Sequence, residues 1–127
     1  MFDALKNLGG NLGGMASLMK DLPKIKAKME EVRRKAEHIR VAASSGGGAV
    51  TVVASGKLRV ESIVLDPYCA KAVADDDPAN RALAVELIRE ATNLALDQAQ
   101  AAMANELATA ARDLNLPISP EQLKEFL

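Results

Sequence analysis

Residues 15–40 read MASLMKDLPKIKAKMEEVRRKAEHIR, and Met15, Leu18, Leu22, Ile25, Met29, Val32, Ala36 and Ile39 recur in steps of three and four. That spacing gives a helix with one apolar seam. With the seam at heptad positions a and d, Lys26, Arg33 and Arg40 fall on one border and Lys28 and Lys35 on the other, while Glu30, Glu31 and Glu37 lie on the back. Two parallel copies of this helix would set like charges against each other across the seam, which opposes pairing. The seam is therefore expected to face something acidic or uncharged.

The sequence on either side of this helix follows from turn and capping chemistry. Upstream, Gly9, Gly10, Gly13 and Gly14, with Asn7 and Asn11, make residues 1–14 a flexible glycine-rich lead. Pro23, two residues after Asp21, fits either a kink or a late helix start. Downstream, Ser44, Ser45, Gly46, Gly47 and Gly48 read as the end of the helix and a short flexible linker. Ala49–Ala54 and Leu58–Leu65 are rich in valine and isoleucine, and Ser55-Gly56 between them suits an antiparallel hairpin. Leu58 and Val60 share one parity and Ile63 and Leu65 the other, so a bulge or a break into a third strand is expected near Glu61 and Ser62. Ile63, Val64 and Leu65 in succession ask for cover on both faces of the sheet, more than one helix layer supplies. A second subunit would supply it.

After Asp66-Pro67 and a short segment around Tyr68–Val73, Asp75, Asp76, Asp77 and Pro78 announce a helix. From about Ala79 to Leu114 there is no glycine or proline and much alanine, so the helix is long, with Leu83, Leu87, Leu94, Met103 and Leu107 as its expected deep contacts. Ser119, Pro120 and Gln122 form a capping box that opens a short terminal helix. The class is α+β: a long N-terminal helix, a small antiparallel sheet and a long C-terminal helix. The chain divides into the lead at 1–14, a central domain at 15–116 and a tail at 117–127.

Composition excludes several functions. A single cysteine among 127 residues forms no internal disulfide, and one histidine offers no metal-ligand spacing. No apolar run reaches membrane-spanning length and the N-terminus lacks the pattern of a signal peptide, so a soluble cytoplasmic protein without membrane partners is expected. Phe2, Tyr68 and Phe126 are the only aromatics, too few for a base-stacking platform. The net charge of −1 conceals a split, since residues 1–60 carry +6 and residues 61–127 carry −7. Either the halves neutralise each other or a basic surface is presented by an otherwise acidic chain.

No set of residues converges as acid, base, nucleophile or ligand, so an enzyme is not expected and no cofactor is implied. His38 reads as a surface residue and Cys69 as a small buried hydrophobe. The triple aspartate suits the positive end of a helix dipole better than a cation loop. Gly46–Gly48 precedes a strand and lacks the lysine and hydroxyl of a phosphate-binding loop.

The order of NLGGMASLMKDLPKIKAKMEEV (residues 11–32), a glycine-rich break, AVTVVASGKLRVESIVLDP (residues 49–67) and a long alanine-rich helix resembles the YbaB/EbfC family of small bacterial nucleoid-associated proteins, over roughly residues 9–114. The most specific parts are Leu18-Met19-Lys20 and the strand through Gly56 to Ile63-Val64-Leu65-Asp66-Pro67. The resemblance implies a tweezer-like homodimer that binds duplex DNA with little sequence preference, located at the nucleoid, with recombination or replication proteins as further partners. It departs at Ile118–Leu127, where the family's proline- and glycine-rich tail is replaced.

The DNA reading places Lys24, Lys26, Lys28, Arg33, Arg34, Lys35 and Arg40 against phosphates, because a helical row of cations displaces condensed counterions without reading bases. Charge runs are more often simply solvated faces, and the resemblance is what reverses that preference. Lys57 and Arg59 carry less weight, since strand lysines and arginines also protect sheet edges. The rival is a protein-interaction adaptor in which the cations are neutralised internally or by an acidic partner.

Overall fold

The structure, a computed structural model, describes residues 12–115 and 118–127, with side chains from Met19 onward. Its elements are α1 (Leu12–His38), β1 (Arg40–Ser45), β2 (Val50–Ser55), β3 (Val60–Leu65), α2 (Pro67–Val73), α3 (Pro78–Leu114) and α4 (Pro120–Leu123), followed by a 3₁₀ turn at Lys124–Phe126. The class is α+β. The expected flexible lead falls largely on residues 1–11, outside the described residues, and Gly13 and Gly14 lie within α1. Pro23 is also inside α1, which continues through it.

Two compact units divide the chain: residues 1–35 with 103–127, and residues 36–102. In the second, the sheet order is β1-β2-β3, antiparallel throughout, with β2 central. The strand at Arg40–Ser45 corrects the expectation of a helix through Arg40 followed by a linker. Its sequence, RVAASS, has low strand propensity, and the seam spacing runs on to Ile39, so periodicity favoured helix. Pairing with β2 overrides that local preference, with Arg40 opposite Ser55 and Ser45 opposite Val50. Gly46, Gly47 and Gly48, all at positive φ, are the turn of this hairpin. At Gly46 the constraint is also spatial, because an added Cβ would lie 3.0 Å from Leu87 Cδ1.

The expected irregularity in β3 is present. Val53 pairs with Ser62 but Ala54 pairs with Val60, leaving Glu61 as the extra residue of a bulge. The turn before it places Leu58 at φ 61°, with its N–H donating to Ser55 O at 2.9 Å.

Val50, Val52 and Ala54 point from β2 into a core shared with Ala43, Cys69, Ala84, Ala91, Ala95 and Ala99. Cys69 is buried there as expected. On α3 the deep contacts in this unit are alanines at near-heptad spacing, whereas Leu83 and Leu94 are exposed, contrary to expectation. Close approach of helix and sheet needs small side chains at the contact, which moves the leucines to the flanks. Ser45 Oγ donates to Leu87 O at 2.6 Å, tying β1 to the helix.

In the first unit, Ile25, Met29 and Val32 of α1 pack with Leu107 and Ala110 of α3 and with Ile118 and Leu123. The apolar seam thus meets its partner in the same chain. Asp66 caps α2 by accepting from Cys69 N at 2.8 Å, and Asp77 accepts from Ala79 N at 2.9 Å at the start of α3. Asp77 of the triple aspartate therefore acts on a helix terminus as the sequence suggested, and the Asp66 cap adds a second that it did not.

Candidate nucleic-acid interface

Six of the seven predicted contact residues, Lys24, Lys26, Lys28, Arg33, Arg34 and Lys35, lie on α1 in the first unit. Arg40 does not. It opens β1 in the other unit, where it pairs with Glu61 at 3.4 Å and donates to the carbonyls of Glu37 and Ile39.

The buried seam of Ile25, Met29 and Val32 fixes the rotation of α1 and so decides where each cation goes. Lys28 and Lys35, seven residues apart, border the seam on one side. They meet Asp113 at 2.9 Å and Glu106 at 3.6 Å, also seven apart on α3. The later lysine pairs with the earlier acid, so these two helical segments run antiparallel. Lys28 and Lys35 also reach Glu31, at 3.2 and 3.6 Å. The hydrogen bonds to Asp113 and Glu31 raise the Lys28 pKa, and the same bond to Lys28 lowers those of Asp113 and Glu31.

On the other border Arg33 pairs with Glu30 through Nη1, and its Nη2 donates to the carbonyl oxygens of Phe126 at 2.6 Å and Leu127 at 3.3 Å. Lys24 lies 3.9 Å from Asp21. Lys26 and Arg34 are exposed and have no ion-pair partner among the described residues. Of the two weaker candidates, Lys57 bonds Glu37 at 2.9 Å and Arg59 is exposed.

Five of the seven cations are thus engaged with carboxylates, which sequence reading left open. Asp113 and Glu106 were missed as partners. The signal was available, since acids seven apart on one helix match lysines seven apart on another when the pair runs antiparallel. The pairs are nevertheless partly or largely solvent-exposed. Such pairs are weakly held and exchange for other anions.

A row of this kind, carried on a rigid helix and backed by a packed seam, offers point charges and guanidinium forks to anionic oxygens. The model of the YbaB/EbfC DNA-binding family matches residues 11–114, which takes in α1, the sheet and α3. The chain belongs to the YbaB/EbfC DNA-binding family. Relatives in this family include a nucleoid-associated protein of Clostridium kluyveri, 33% identical over 111 residues, covering 87% of this chain and 91% of the relative. A nucleoid-associated protein of Clostridium novyi is 36% identical over 110 residues (87% and 90% covered), and one of Pseudomonas fluorescens is 30% identical over 105 (83% and 91%). Among the described residues no helix is long and apolar enough to cross a membrane.

Proposed function

We propose that this YbaB/EbfC family member is a non-enzymatic, nucleoid-associated protein that binds duplex DNA as a homodimer, largely without sequence preference. One observation carries the reading. Ile25, Met29 and Val32 of α1 are buried inside their own unit, while Lys24, Lys26 and Arg34 remain exposed. Lys28, Arg33 and Lys35 are held by solvent-facing carboxylates that phosphate can replace, and Arg40 is a further cation offered by the second unit. Lysines and arginines laid along the duplex backbone neutralise phosphates, and phosphate contacts carry no base information directly, which supports sequence tolerance. Gene expression or recombination and repair are the processes such binding would influence, through proteins that share the DNA.

Self-association is supported by the second unit. β3 is an edge strand, and Ile63 (48% exposed) and Val64 (60% exposed) point to opposite faces of it, with Tyr68 at 85% exposed just beyond. An open edge with apolar side chains on both faces is a surface for another chain, and a second copy is always present.

The adaptor reading draws on a specific observation of its own, the Lys28–Asp113 and Lys35–Glu106 pairs that neutralise one border internally. Fluorescence anisotropy of a labelled duplex of about 30 base pairs, titrated between about 50 and 200 mM salt, separates the two. Saturable binding with a steep salt dependence, retained on an unrelated sequence, is the expected result; absence of binding at low salt would leave the adaptor.

A further inference from the structure

The cations of α1 meet an occupant that the DNA reading does not explain, the chain's own residues 118–127. We propose that this segment is an internal competitor for DNA, a clasp closed over the Arg33 border of α1 that duplex phosphates displace. The inference rests on the DNA-binding reading above and adds a regulated step to it.

The clasp is built to hold at one end and to open at the other. Its inner end is preorganised: Ser119 Oγ accepts from Gln122 N at 3.2 Å, Gln122 Oε1 accepts from Ser119 N at 2.9 Å, and Pro120 fixes the first helical turn. Leu123 is fully buried and Ile118 nearly so, both in the cluster with Ile25, Met29 and Val32. The outer end is looser. Phe126 is half-buried and Leu127 exposed, and a cavity of about 520 Å³ is lined by Glu125, Phe126 and Leu127 together with Lys26, Met29, Glu30 and Arg33. There Nη2 of Arg33 donates to the main-chain oxygens of Phe126 and Leu127 while Nη1 holds Glu30, and Glu125 brings a carboxylate into the cavity that Lys26 and Arg33 share.

Phosphate is the stronger partner for a guanidinium, since its oxygens carry full negative charge and accept two parallel hydrogen bonds, where the Phe126 carbonyl offers only a dipole. Exchange of partners at Arg33 would detach Phe126 and Leu127 first, with Leu123 as the anchor that resists. Docking of the segment and binding of DNA then weaken each other by the same factor, as linkage requires.

The test compares the full chain with Leu123→Gln, which loosens the anchor, and with Ser119→Ala/Gln122→Ala, which removes only the capping hydrogen bonds and spares the buried cluster. Duplex affinity is expected to rise about fivefold in Leu123→Gln and less in the capping variant. The salt slope should steepen by about one as Arg33 becomes available, and adding Arg33→Gln should cancel both gains. Amide exchange of residues 121–127 in the unaltered chain should accelerate when duplex saturates it. Affinity unchanged or weakened in both variants while circular dichroism reports intact helices, or exchange that slows on DNA, would overturn the proposal. Absence of duplex binding by every chain at low salt would instead overturn the DNA reading, and the competitor with it.

Discussion

The two units solve the same packing problem with opposite materials. Residues 36–102 bury alanines of α3 against the valines of β2 and leave large apolar side chains such as Ile63, Val64 and Leu83 outside. Residues 1–35 with 103–127 bury Ile25, Met29, Leu107 and Leu123 and rim them with charge. Large side chains at the centre make a unit that closes on itself, and large side chains at the margin make one that asks for a partner. The first unit carries six of the seven candidate cations, and the exposed apolar side chains of the second are the surface of the proposed self-association.

The largest expected effect tests the closed unit. Ile25→Ala should destabilise it by about 2–5 kcal/mol, because a fully buried branched side chain is lost from a cluster with few neighbours able to collapse inward. Urea unfolding followed by circular dichroism measures this. A cost below about 1 kcal/mol would mean that the seam is not the core of its unit.

The next concerns the open unit. If the proposed homodimer forms through β3, replacing Ile63 and Val64 together by lysine should raise its dissociation constant about 30-fold or more, as removal of central apolar anchors does. Monomer stability should change little, since both side chains are half or more exposed. Sedimentation velocity over a concentration series reads the shift, and an unaltered self-association would move the contact away from β3.

A smaller effect is expected at the hairpin that sequence reading mistook for a linker. Gly46→Ala should cost about 1–2 kcal/mol, since the residue sits at φ +60° and the new Cβ would press on Leu87. The error is instructive. Valine-rich β2 and β3, the bulge at Glu61 and both long helices were legible because periodicity and propensity agree there. β1 was not, because RVAASS has neither strand propensity nor alternation and becomes a strand through the neighbour it pairs with. The same limit governed the candidate site. Local spacing assigned Lys26, Lys28, Arg33 and Lys35 of α1 to the borders of the seam, and Ile25, Met29, Val32 and Ala36 of that seam are buried. The acids that meet those cations lie some seventy to ninety residues away in sequence, at Glu106 and Asp113, so the pairing was decided by tertiary packing. Arg40 was misplaced for both reasons at once.

The smallest expected effect asks whether the charged rim of the closed unit stabilises it at all. Asp113 and Glu31 have pKa values lowered chiefly by their hydrogen bonds to Lys28. A carboxylate held below its unfolded pKa adds stability that is complete above the unfolded value and is lost as pH falls through the folded one. Lys28, raised by the same bonds, contributes stability that is present below its unfolded pKa and disappears only as pH rises through its folded value, far into the alkaline range. Between pH 7 and about 4.5 the rim should therefore be insensitive, and the urea midpoint should decline below about pH 4. Lys28→Met, which leaves the stem and removes the charge, should flatten that acid limb, because Asp113 and Glu31 then lose their chief reason to titrate low. The effect is small, as all three groups are solvent-accessible and screened. An acid limb equally steep with and without Lys28 would show that these pairs leave stability untouched, which would make every carboxylate on that border cheaper for phosphate to displace.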